Sequence, residues 1–169
     1  MVLGMTIQTF TLLHVVISLI AIVSGSIVTW GMLNGTRNEG WTGVFLLATA
    51  LTSITGFLFP VPLSPPLPSQ IFGYISLAAL VPTVLGYYVY DLARAWRWIY
   101  IGGALLTLYL NVFVLVVQAF QKIAVLHPLA PNGSEPPFLV AQTIVLLTFL
   151  WLGFGAVRKF HPEAMAPRR

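Results

Sequence analysis

Five stretches free of charged residues constrain this chain more than any other feature. They cover Phe10–Leu33, Trp41–Phe59, Ile71–Tyr90, Trp98–Phe120 and Phe138–Val157, with lengths of 24, 19, 20, 23 and 20 residues. A helix needs about 20 apolar residues to cross about 30 Å of hydrocarbon. It also satisfies its own backbone hydrogen bonds, which lipid cannot do. The stretches predict an all-α polytopic membrane helix bundle of five transmembrane helices, 10–33, 41–59, 71–90, 98–120 and 138–157. Residues 1–157 are then one transmembrane domain and 158–169 a basic tail. Only 7% of the chain is charged, against about a quarter in an ordinary soluble domain. A soluble enzyme and a disordered chain are both excluded. No Lys or Arg precedes Arg37, and the first apolar run is longer than a leader needs, so it is expected to be a span rather than a cleaved signal.

The few charges carry an orientation. Five spans place the loops alternately on two faces. One face, with the N-terminus, Pro60–Gln70 and Gln121–Pro137, has a single basic residue, Lys122. The other has Arg37, Arg94, Arg97, Arg158, Lys159, Arg168 and Arg169. Basic loops stay cytoplasmic, so the N-terminus is expected outside and the C-terminus in the cytoplasm. Trp30, Trp41, Trp96, Trp98, Tyr90 and Tyr100 gather near the same boundary, as an interfacial belt does.

The outer loops differ in kind. Pro60–Gln70 has five prolines and reads as a stiff, extended connector. Gln121–Pro137 is longer and chemically varied. Cysteine is absent, which removes disulfides and thiolate chemistry. Within the spans, small and polar residues recur at helical spacing: His14, Ser18, Ala21, Gly25, Thr29; Thr42, Thr49, Thr52, Gly56; Ser76, Ala79, Thr83; Gly103, Thr107, Asn111, Gln118; Gln142, Gly153. Such stripes mark helix–helix contacts in membranes. Pro82 removes one backbone bond and predicts a kink in the third helix.

Apart from tyrosines, His14 is the only ionisable residue inside a span, which makes it a candidate functional group whose partner must be found. The orientation puts Gln118, Gln142, His127 and Glu135 on its side of the membrane. With Asn111 these form the candidate ligand-binding set. The competing expectations are a His14 imidazole bonded to Ser18 or a neighbouring helix, and a Glu135 or Ser134 cap on the fifth helix. His161 is expected to be solvated.

Several chemistries can be weighed. His14, His127 and Glu135 are suitable metal ligands by type, without a recognisable spacing. A haem on His14 and His127 requires the loop to fold inward, and a diheme cytochrome needs more intramembrane histidines than the one present. No span holds paired carboxylates for a proton pump or a lysine for a retinal Schiff base. Nucleic acid is not a partner for such a chain. A quinone or another lipid-soluble ligand suits the set better, with Phe120 and Phe138 to line its groove.

YLNVFVLVVQAFQK (Tyr109–Lys122) and LAPNGSEPPFLVAQ (Leu129–Gln142) resemble a segment of an uncharacterised proteobacterial family of multi-helix integral membrane proteins. His14 opening a small-residue helix, with GFLFP at Gly56–Pro60, resembles a broader group of such proteins. The resemblance implies a multi-pass integral protein of the bacterial inner membrane and brings no established activity. The expectation is a non-enzymatic protein: an accessory subunit of a larger membrane complex or homo-oligomer, or a binder of a quinone-like ligand. The alternative is a small redox, metal- or haem-binding membrane protein using His14 and His127.

Overall fold

A computed structural model describes residues 1–60 and 68–161. Five helices follow one another: α1 (Ile7–Leu33), α2 (Glu39–Phe57), α3 (Pro68–Val84), α4 (Ala95–Lys122) and α5 (Pro136–Lys159). No strand is formed among the described residues; Val2 and Met5 make one isolated bridge. All five helices, α3 counted with the turn that follows it, are long and apolar enough to cross a membrane. Most of the Pro60–Gln70 connector and of the basic tail lies outside the described residues.

The helices overrun the charge-free stretches by two or three residues at most ends. The reason is that a charge marks the edge of the hydrocarbon, whereas a cap ends a helix. Thr6 caps α1 by accepting a hydrogen bond from the Thr9 backbone N–H at 3.2 Å. Pro136 and Pro137 occupy the first turn of α5, where a missing N–H costs nothing. The helix carrying Pro82 runs on to Val84 and then widens into a π-helical turn, Leu85–Val89.

Consecutive helices pack side by side, and α4 also touches α1 and α2. It is thus the central post of the bundle. Its buried face carries Tyr100, Ile101, Ala104, Leu105 and Leu108. These join Val28, Met32, Phe45, Leu46, Tyr87, Leu92 and Phe160 in one core. A smaller cluster, Phe120, Ala130 and Phe138, closes the opposite end.

Close approach depends on glycine, most clearly at Gly103 and Gly25. A Cβ on Gly103 would fall onto the Thr83 hydroxyl and within 3.2 Å of the Ala79 carbonyl. One on Gly25 would meet Leu108 and Phe45 at 2.7 Å. Without a hydrophobic force between helices in lipid, such backbone proximity supplies dispersion contact instead. Ala21, Gly25, Thr29, Thr42, Thr49, Ser76, Thr83 and Thr107 are all buried, so much of the expected stripes does face the interior. The outward surface is apolar, with Leu12, Val16, Val23, Ile144, Leu147, Leu150 and Phe154 exposed.

Candidate ligand-binding site

His14 sits seven residues into α1, about 10 Å along the helix at 1.5 Å per residue. Its Nδ1 is 2.7 Å from Thr55 Oγ1 on α2. The Thr55 oxygen is also 2.6 Å from the Leu51 carbonyl. Two oxygens so close repel unless a proton lies between them, so the Thr55 hydroxyl donates to Leu51. Thr55 must then accept from His14, and the imidazole proton is on Nδ1. A neutral ring in that tautomer keeps the Nε2 lone pair as an acceptor. Ser18, the other partner expected for His14, donates to its backbone carbonyl at 2.8 Å and does not touch the ring.

Aromatic rings frame the imidazole. Phe59 stands edge-on to His14 with centroids 5.3 Å apart, and Phe10 packs on Phe59 at 5.0 Å. Gly56 leaves room beside the ring: a Cβ there would lie 3.8 Å from His14 Cε1. The site is therefore a polar nitrogen on an α1–α2 seam, walled by two phenylalanines. Its neighbours Leu12, Leu13 and Val16 are exposed along α1.

The other candidates fall into separate groups. Gln142 on α5 donates from Nε2 to the Phe113 carbonyl on α4 at 3.1 Å, while its buried Oε1 has no hydrogen-bond partner. The buried Nδ2 of Asn111 has none either. Gln118 is seven residues further along α4, on nearly the same face. His127 is exposed at the start of the 3₁₀ turn His127–Leu129. Glu135 occupies the N-cap position of α5 but makes no side-chain cap bond. Its carboxylate turns back into the loop instead and accepts from the Asn132 and Ser134 backbone N–H groups, both at 3.0 Å. Desolvation pushes the Glu135 pKa up, and the hydrogen bonds from Ser134 and Asn132 together outweigh it and hold the carboxyl below its ordinary value. Among the described residues, no three His, Cys, Asp or Glu side chains gather into a metal-binding group.

The opposite end of the bundle holds chemistry that the sequence reading passed over. Arg37, between α1 and α2, donates to Asp91 at 2.5 Å and lies 4.5 Å over the Tyr87 ring. Burial works against its charge, yet the Tyr87 hydroxyl and the Asp91 carboxylate overcome that and hold its pKa above the ordinary arginine value. The Tyr87 oxygen supports the charge by proximity; it makes no hydrogen bond of good geometry and is buried. Asp91, Leu92 and Arg94 all adopt positive φ, a backbone cost that delivers Leu92 into the core and Asp91 to Arg37. Tyr100, expected in the interfacial belt, is 1% exposed and belongs to this cluster. His161 is exposed but not free: Arg97, which can only donate, reaches its Nδ1 at 2.6 Å and the Phe160 carbonyl at 2.7 Å. A sequence signal for the cluster did exist, in the tyrosine-rich run GYYVYD at 86–91. The Arg37–Asp91 pairing itself spans 54 residues and leaves no local trace.

No protein-family model, curated protein or solved structure matches the chain.

Proposed function

We propose that this chain is a multi-pass protein of the bacterial inner membrane, N-terminus outside and C-terminus in the cytoplasm. Its function in this reading is to bind the polar head of a lipophilic, quinone-like ligand beside His14, without catalysing a reaction. The one-sided distribution of basic residues supports the orientation. The observation that carries the ligand is the hydrogen-bond direction at Thr55, where Nδ1–H is spent on the hydroxyl and Nε2 is left to accept. An acceptor nitrogen recognises a hydroxyl, so the reduced quinol is preferred over the quinone, whose carbonyls only accept. Phe10 and Phe59 flank the head group, and the tail lies along the exposed aliphatic face of α1.

An accessory role in a larger complex or homo-oligomer is the second reading. Its support is α5, of whose most apolar window only 11% is buried within the chain.

The test is binding of a short-chain benzoquinol, and of its quinone, to detergent-purified protein. His14→Asn keeps a side-chain donor for Thr55 and deletes the Nε2 acceptor. Wild type should bind the quinol saturably and more tightly than the quinone, and the variant about tenfold more weakly, a loss of about 1.4 kcal/mol. Equal binding by both proteins, or none by wild type, would remove the proposal.

A further inference from the structure

We propose that the outward stripe of α5, with the basic rim at its C-terminal end, is a binding surface for an anionic phospholipid. Leu147, Trp151, Phe154 and Arg158 recur at intervals of three or four residues, which puts them on one helix face. That face is turned away from the bundle: Trp151 is 69% exposed and Phe154 57%. The side that α5 presents inward carries Gln142 and Ala156, both buried. Arg158 is exposed and folds over Phe154, its guanidinium carbon 3.9 Å from the ring centroid. A guanidinium laid on an aromatic face keeps its N–H edge free to donate to phosphate oxygens. The apolar stripe thus ends in a cation held at one place, with its donors facing outward.

The charge around this end is unbalanced. Lys159, the next residue, is exposed as well. Arg97 reaches over from α4, where it lies 4.7 Å above the Trp98 ring, and donates to the Phe160 carbonyl just past α5. Among the described residues the carboxylates are Glu39, Asp91 and Glu135. Arg37 holds the first two, and Glu135 stands at the opposite end of α5. Arg97, Arg158 and Lys159 are left without one. In a membrane, the end of a spanning helix lies at the depth of the lipid phosphates, and Lys and Arg there attract anionic head groups. The acyl chain then lies along Phe154, Trp151 and Leu147. The same charge disfavours a second copy of the chain as occupant, because a two-fold interface through this stripe would set Arg158 against Arg158. None of this depends on the ligand beside His14.

Native mass spectrometry of the detergent-purified chain tests this. The chain is incubated with equal amounts of phosphatidylglycerol and phosphatidylcholine bearing identical acyl chains. Both lipids carry the phosphate, but choline cancels its charge. Wild type should retain phosphatidylglycerol about tenfold more than phosphatidylcholine, since each basic residue at the surface contributes several-fold. Arg158→Gln should lower that preference about fivefold. Phe154→Leu keeps every charge and removes the ring under Arg158, and should lower it about threefold, as the loss of an exposed cation–π contact implies. Lys122→Gln, at the opposite end of the bundle, should leave it unchanged. A wild type without preference overturns the surface. So does a Phe154→Leu protein that binds as wild type does, because a diffuse positive field would then suffice. A chain that retains neither lipid and migrates as a dimer would assign the stripe to a protein partner and overturn the proposal equally.

Discussion

His14 and Thr55 are joined across α1 and α2 by a 2.7 Å hydrogen bond in which the histidine donates. The direction follows from a second bond, Thr55 to Leu51, and it decides what His14 has left to offer. A structural contact and the proposed recognition of a quinol thus share one imidazole, and substitutions can part them. Thr55→Val keeps the shape and removes the acceptor for Nδ1. The bundle should lose about 0.6 kcal/mol, the average for interhelical hydrogen bonds in a membrane protein. The ring, no longer held, should also lose its preference for quinol. Thr55→Ser should restore both. Unfolding in mixed micelles together with the binding assay checks this, and a Thr55→Val protein that still prefers quinol would show that the tautomer is set elsewhere.

At Gly103, α3 and α4 approach one another almost backbone to backbone. The space for a methyl group there is taken by the Thr83 hydroxyl and, behind it, the Ala79 carbonyl at 3.2 Å. Thr83 cannot simply rotate away, since it donates to that same carbonyl at 2.6 Å. Gly103→Ala should therefore destabilise by about 1–3 kcal/mol, the usual cost of overpacking. Thr83→Ala in the same chain should recover part of the loss, because one of the two obstacles is gone. A double-mutant cycle with no coupling would contradict the packing.

The five helices were legible because a membrane crossing demands their length and apolar content. A charge inside a span is so costly that its absence over about 20 residues amounts to a measurement of length. Which stripe residues face inward was legible for the same reason, through periodicity. The site was less so. His14 stands out as the lone intramembrane imidazole, yet nothing local marks Thr55, 41 residues away, as its partner. The idea that His14, His127, Glu135 and Gln142 converge rested on their sharing a side of the membrane, and a shared side does not specify which helix each residue faces. The positive φ values of Asp91, Leu92 and Arg94 carry no residue signal, since none of them is glycine. Only tertiary packing around Leu92 and Arg37 makes that backbone worthwhile.

Glu135 gives a pH dependence of known sign. Its pKa is lower in the folded chain than the ordinary 4.5. A depressed carboxyl contributes stability that is present above the ordinary value and is lost as pH falls through the lower, folded one. The loop of Asn132–Glu135 should therefore stay closed at neutral pH and open on acidification below 4.5. Amide exchange at Asn132 and Ser134, whose N–H groups the carboxylate accepts, should accelerate over that window beyond the intrinsic trend. In Glu135→Gln the additional acceleration should be absent.

The orientation is open to a direct experiment. Reporter domains fused after Lys159 should be active in the cytoplasm, and those inserted at Asn132–Gly133, in the loop proposed to be external, should be active outside. Reversing the charge bias, with Arg37, Arg94 and Arg97 changed to Gln and lysines placed beside Lys122, should weaken or invert the pattern. A C-terminus found outside in the unaltered chain would move His14 to the cytoplasmic face and the Arg37–Asp91 cluster to the exterior.

Thr49 offers the sharpest question about the interior. Several buried hydroxyls here donate to the carbonyl one turn back, as in Ser24, Thr29 and Thr83. Thr49 is 0% exposed and makes no such bond, leaving its oxygen without a partner. Thr52 and Asn111 Nδ2 are in the same condition. Tyr100 meets Thr42 across α2 and α4, and these helices run in the same direction. Eleven residues beyond Tyr100, Asn111 returns to within about 20° of the same face, level with Ser53 and one turn from Thr49. Three polar groups are thus brought to one depth without being joined to protein partners. A buried hydroxyl that bonds nothing is a desolvation cost of about 1–3 kcal/mol, and the near-isosteric Thr49→Val removes it. The substitution should raise stability by about 1 kcal/mol with no change in topology. A drop instead would mean that Thr49 and Asn111 are bridged, and Asn111→Leu should then cost a similar amount and show non-additivity with Thr49→Val.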